Sequence, residues 1–85
     1  MKSFVYVLKS LKDNRQYIGS TINVDKRLAQ HNNGSVKSTK HRLPFIIKYV
    51  IEYDDIKKAA EMEKKFKRSH DALLKELKQR GIAQR

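Results

Sequence analysis

The chain has 85 residues, enough for one small domain with one modest core. It carries 20 Lys and Arg against 9 Asp and Glu, a formal net charge of +11, and no cysteine. Disulfides and thiolate metal sites are thereby excluded, and a polyanion, nucleic acid first, is the expected partner. No apolar run approaches the ~20 residues of a membrane-spanning helix. The start, MKSFVYVLKS, meets charge again at Lys9, too soon for the apolar centre of a secretory signal. A soluble, cytoplasmic protein is expected.

The first predicted element is a strand over Ser3 to Lys9, with Phe4, Tyr6 and Leu8 on one face and Val5 and Val7 on the other. Apolar residues on both faces predict a covered, central strand. Lys12, Asp13 and Asn14 make a turn, and Gln16 to Ser20 form the second strand. A turn centred near Lys12 and Asp13 sets Tyr6 opposite Gly19 and Leu8 opposite Tyr17. Any register with an odd index sum then keeps both phenols on one face. Gly19 is expected to leave a gap beside Tyr6 where a ligand can approach the backbone.

Asn23 is a suitable N-cap for a helix from Val24 to Asn32, with Asp25 in its first turn and Gly34 just past its end. Val24 and Leu28 face the core, and Arg27 and His31, one turn apart, lie at the edge of that stripe. The segment GSVKSTKHR, residues 34–42, has no apolar period and predicts a basic, mobile loop ended by Pro44. From Phe45 to Tyr53 the residues alternate, with Phe45, Ile47, Tyr49, Ile51 and Tyr53 on one side of a third strand. Asp54 and Asp55 cap a helix over Ile56 to Lys67 whose core stripe is Ile56, Ala59, Ala60 and Phe66. A last amphipathic helix runs from Ser69 or His70 to Arg80, with Ala72, Leu73, Leu74 and Leu77 apolar and Gly81 as its stop. The predicted fold class is α+β, a small three-stranded antiparallel sheet flanked by helices in the order β-β-α-β-α-α.

One residue disturbs this pattern. Glu63 falls inside the apolar stripe of the helix over Ile56 to Lys67, four residues after Ala59. A buried, unpaired carboxylate costs several kcal/mol or takes up a proton. It needs a cation, a metal or a hydrogen-bond network. Lys67, four residues on, offers the ordinary solution of a surface pair. His31, His41 and His70 have no mutual metal spacing, whereas a hard cation held by one carboxylate and a substrate phosphate suits the residues present.

FVY at 4–6, YIG at 17–19, Arg27, His31 and Glu63 together resemble the GIY-YIG nuclease superfamily. The frame around them, YIGST, RLAQHNNG, STKHRLPF and AAEMEKKFK, fits over about residues 4–67, and is most similar to the small stand-alone bacterial members. The helix of about residues 70–80 would complete a single domain over 1–85. The resemblance implies magnesium- or manganese-dependent hydrolysis of phosphodiester bonds in DNA, as in enzymes of repair and recombination, some of them structure-selective. Matched position by position, it implies catalytic roles for Tyr6, Tyr17, Arg27, His31 and Glu63, with Glu63 on the metal and Gly19 as the motif glycine. Phe4 departs from the usual first-motif glycine, Ser20 stands where some repair enzymes carry lysine, and the asparagine of some members has no match.

Hydrolysis needs a base, positive charge on the phosphoryl oxygens and a metal near the leaving oxygen. Either tyrosine can be the base, provided that neighbouring cations lower its pKa from about 10. Arg27 would grip the phosphate through its planar fork, and His31 would bond to phosphate or position a tyrosine or water. Gly19, Lys37, Lys40, Arg42 and Lys67 are candidate substrate contacts, with Lys64, Lys65 and Arg68 available as well. The alternative is a basic nucleic-acid-binding module that cuts little or nothing. DNA is the expected partner, RNA is left open, and specificity would come from DNA shape or from a protein partner, with Leu73, Leu74 and Leu77 as a candidate docking face.

Overall fold

The computed structural model describes residues 1–82; residues 83–85 of the expected domain lie outside the described residues. The elements are β1 (Ser3–Ser10), β2 (Gln16–Thr21), α1 (Val24–Asn32), a 3₁₀ turn (Lys40–Arg42), β3 (Phe45–Tyr53), α2 (Ile56–Arg68) and α3 (His70–Gln79). The sheet order is β2-β1-β3, antiparallel throughout, so the strand with two apolar faces is central. The α+β class and the β-β-α-β-α-α order are as predicted.

Local chemistry sets the element ends. Asn14 takes the left-handed conformation in the β1–β2 turn, at φ 61°, which asparagine tolerates better than most residues. Side-chain oxygens of Asn23, Asp55 and Ser69 accept from the backbone N–H groups of Lys26, Lys58 and Ala72, capping the three helices. Gly34, at φ 83°, turns the chain out of α1 where a side chain would be strained.

Two apolar layers cover the sheet. On one face Val5, Val7, Ile51 and Tyr53 meet Ala59, Met62 and Phe66 of α2 and Leu73 and Leu77 of α3. On the other, Tyr6, Leu8 and Phe45 pack with Tyr17, Ile47 and the α1 residues Val24 and Leu28. The expected single-sided alternation of β3 is corrected here. Val7 pairs with Tyr49 but Leu8 pairs with Ile47, so Lys48 is an extra residue in a β-bulge. The bulge reverses the facing of the strand. Phe45 and Ile47 lie under α1, whereas Tyr49, Ile51 and Tyr53 face α2 and α3.

Three further expectations are corrected. Ile56, placed in the α2 stripe, is 55% exposed; Met62 fills the stripe with Ala59 and Phe66. The segment 34–42 is a tethered strap rather than a loose loop. Ser10 Oγ donates to Arg42 O at 2.6 Å, Lys12 Nζ to His41 O at 3.1 Å, and Thr39 is fully buried. Leu73 and Leu77 are consumed by the core, leaving Leu74 alone exposed, so α3 presents no apolar docking face among the described residues. Among the described residues no helix is long and apolar enough to cross a membrane.

Candidate active site

The predicted register holds: Tyr6 pairs with Gly19 and Leu8 with Tyr17. Both phenols therefore share the face covered by α1, with ring centroids 6.3 Å apart. The Cβ of an alanine at position 19 would lie 2.5 Å from Tyr6 Oη and 2.6 Å from its Cζ. The gap expected for a ligand at Gly19 is thus occupied by the Tyr6 phenol itself. Gly19, buried within β2, makes room for a motif ring.

Successive turns of α1 bring Arg27 and His31 to the same place. His31 has no exposed surface, and its ring stands edge-on to Tyr17 at 4.9 Å and to Tyr6 at 5.9 Å. Its Nε2 lies 3.0 Å from Tyr6 Oη, and its Nδ1 lies 2.8 Å from Thr39 Oγ1. Arg27 Nε donates to Tyr6 Oη at 3.4 Å, and its Nη1 donates to Gln30 Oε1 at 3.1 Å. Three side chains therefore meet at or beside the Tyr6 phenol: Tyr17, Arg27 and His31.

Electrostatics here run against one expectation. Burial pushes the Tyr6 pKa up from its ordinary value near 10, and the Arg27 hydrogen bond offsets this only in part. The phenol is therefore kept protonated at neutral pH, so it can act as a base only while handing its own proton on. Burial, with help from the Arg27 charge, lowers the His31 pKa, which leaves a neutral imidazole beside it.

Glu63 comes from the opposite layer. Helix α2 packs chiefly over β2 and β1, and its Glu63 reaches the outer rim of β2. There Ser20 Oγ donates to Oε1 at 2.7 Å and Lys67 Nζ donates to Oε2 at 2.7 Å. Lys67 also lies 5.9 Å from the centroid of the Tyr17 ring. The carboxylate is close enough for its charge to act on Tyr6. With 22% of its side chain exposed, Glu63 is neither buried nor unpaired, which answers the conflict posed by its place in the stripe.

Among the described residues, no three His, Cys, Asp or Glu side chains gather around a common point. One carboxylate beside a serine hydroxyl does not fit zinc. It does fit a hard cation that keeps most of its water and takes its remaining oxygens from a substrate phosphate. An exposed i,i+4 pair such as Glu63–Lys67 contributes only ~0.3–0.5 kcal/mol, so it is easily exchanged.

The candidate substrate contacts divide. Lys37 and Lys40 are exposed on the strap beside the site. Arg42 is not free: its Nε donates to Asp13 Oδ2 at 2.9 Å and its guanidinium stacks 5.4 Å from the Phe45 ring. Lys67 is held by Glu63. Sequence reasoning missed Thr39, Ser20 and Asp13 as members of the site or its support. For Thr39 the sequence offered no local signal: it is one of three small hydroxyl residues, with Ser35 and Ser38, in an aperiodic segment.

The fold and this site define a GIY-YIG catalytic domain, a nuclease-type hydrolase module: the family model of that description matches residues 2–78, and the chain belongs to that family. Its relatives include UPF0213 proteins. One from Bacillus cereus is 35% identical over 81 residues, 94% of this chain and 83% of the relative. Another, from Streptococcus pyogenes serotype M1, is 38% identical over 68 residues, 79% of this chain and 73% of the relative. The solution NMR structure of a UPF0213 protein from Bacillus halodurans is similar with a TM-score of 0.54 and 30% identity, covering 92% of this chain and 86% of that one.

Proposed function

We propose that the protein is a metal-dependent endonuclease that hydrolyses phosphodiester bonds in DNA, with Tyr6 as general base and the whole chain as one catalytic unit. The observation that carries this reading is the enclosed contact between Tyr6 Oη and His31 Nε2 at 3.0 Å, with Arg27 on the same oxygen. Of the two tyrosines, Tyr6 is the one with a proton acceptor already in place.

Arg27 lies across the Tyr6 oxygen at the long limit of a hydrogen bond, 3.4 Å. A phosphate that draws the guanidinium to itself opens that oxygen to water. As water attacks phosphorus, its O–H bond breaks and the proton passes to Tyr6 Oη. The Tyr6 proton passes in the same movement to His31 Nε2, and the bond from phosphorus to the leaving oxygen breaks. That oxygen takes a proton from solvent, and the imidazolium, disfavoured by burial, releases its own. Arg27 and Lys67 offset the charge that builds on the phosphoryl oxygens. Glu63, with Ser20 orienting it, would hold a magnesium or manganese ion, which supplies neutralisation of the leaving oxygen when bound. Cytoplasmic repair or recombination of DNA suits such an activity, and RNA is a second polymer to test.

The test is a cleavage panel of branched, duplex and single-stranded DNA, with RNA alongside, with magnesium and with chelator. Wild type should cut at least one DNA substrate only with the cation. Glu63→Gln and Tyr6→Phe should each lose roughly 100-fold or more in rate while retaining affinity within a few-fold. Tight binding with no cation-dependent cutting of any substrate would leave a nucleic-acid-binding module instead.

A further inference from the structure

Both ring nitrogens of His31 meet a hydroxyl inside an enclosed space, and the proton positions there can be deduced. Tyr6 is 1% exposed, and His31 and Thr39 have no exposed surface. At Tyr6 Oη the two polar neighbours are Arg27 Nε and His31 Nε2. Arginine only donates, so the phenol proton has one acceptor among the described residues, the Nε2 lone pair. A neutral His31 must then carry its proton on Nδ1, 2.8 Å from Thr39 Oγ1. Thr39 Oγ1 accepts it and sends its own proton to Val36 O, at 3.4 Å. Every donor in this chain is satisfied, and all the hydrogen bonds point from Tyr6 towards the backbone of the strap.

The opposite tautomer breaks the chain at its catalytic end. With the proton on Nε2, both neighbours of Tyr6 Oη would be donors and the phenol proton would be stranded in a buried site. We infer that Thr39 is a positioning residue: its hydroxyl accepts the Nδ1 proton of His31 and so keeps the Nε2 lone pair aimed at Tyr6. This inference rests on the reading of Tyr6 as the base. It also gives the strap a task beyond packing, because the backbone path through residues 36–42 decides where that hydroxyl sits.

Two readouts test it together: DNA cleavage rate in magnesium, and the ¹⁵N chemical shifts of His31, which separate the two neutral tautomers. Wild type and Thr39→Ser should show the proton on Nδ1 and cut within a few-fold of each other. Thr39→Val, of the same shape but without the acceptor, should move the proton toward Nε2 and cut about 100-fold more slowly. Thr39→Ala serves with the same readouts if the valine variant does not fold. A wild-type His31 protonated on Nε2 would overturn the inference whatever the cleavage rates, as would a folded Thr39→Val that cuts like wild type. A wild type that cuts nothing would overturn the hydrolase reading and with it the catalytic half of the inference, while the nitrogen shifts would still decide the positioning half.

Discussion

At the scale of single residues, the site depends on an absence of atoms at Gly19 and on a hydroxyl at Tyr6. The ring lies against the β2 backbone so closely that a methyl group at position 19 would overlap it, at 2.5 Å from Oη. Gly19→Ala should therefore move the phenol off His31 rather than merely crowd a surface. The expected outcome is a loss of ~1–3 kcal/mol in urea unfolding, the usual range for overpacking, together with loss of cleavage. A variant that cuts normally would show that the Tyr6 position is not critical. The convergence of Tyr6, Tyr17, Arg27 and His31 was legible because parity fixes the strand face and a four-residue step fixes the helix face. The direction of the Tyr6 pKa was not, since it depends on how completely the ring is enclosed. Thr39 was illegible for a related reason: the burial of one hydroxyl in an aperiodic segment follows from the path of the chain, which no local pattern encodes.

At the scale of elements, the strap carries its own supports. Arg42 ties it to Asp13 in the β1–β2 turn, and this ion pair, with the Arg15 backbone N–H, holds the Asp13 carboxyl down at about 2 against an ordinary value of 3.8. A depressed carboxyl pKa stabilises the fold above the unfolded value, and that contribution fades as pH falls through the folded one. Unfolding measured against pH should thus show wild type losing stability between 3.8 and about 2. Asp13→Asn should follow a flatter profile in that window and converge with wild type at its lower end. Parallel profiles would remove the clamp. Helix and strand limits were legible from caps and turn residues: α1 and β3 occupy the predicted spans. The Lys48 bulge was not legible, because five apolar residues at alternate positions look the same whether they serve one face or two. Ile56 and Met62 exchanged places for a comparable reason. A helical wheel gives their relative angle but not which side of α2 the sheet will meet.

At the scale of the molecule, a net charge of +11 makes the surface itself a ligand for polyanions. Lys37 and Lys40 project from the strap beside the site, so they should contact phosphates and release counterions on binding. Replacing either with alanine should weaken binding across all sequences and reduce the slope of log affinity against log salt by about 1. Glu63→Gln should leave that slope unaltered. An unchanged slope in the lysine variants would place the phosphate track elsewhere on the basic surface.

The position of Glu63 has a consequence for assembly. Its carboxylate and the two phenols belong to opposite layers, linked beside the outer rim of β2 through Lys67, which pairs with Glu63 and lies near the Tyr17 ring. A second copy that added a strand would do so at one of two borders, and the β2 border is the one beside these groups. The border at β3 lies on the far side of the central strand from them.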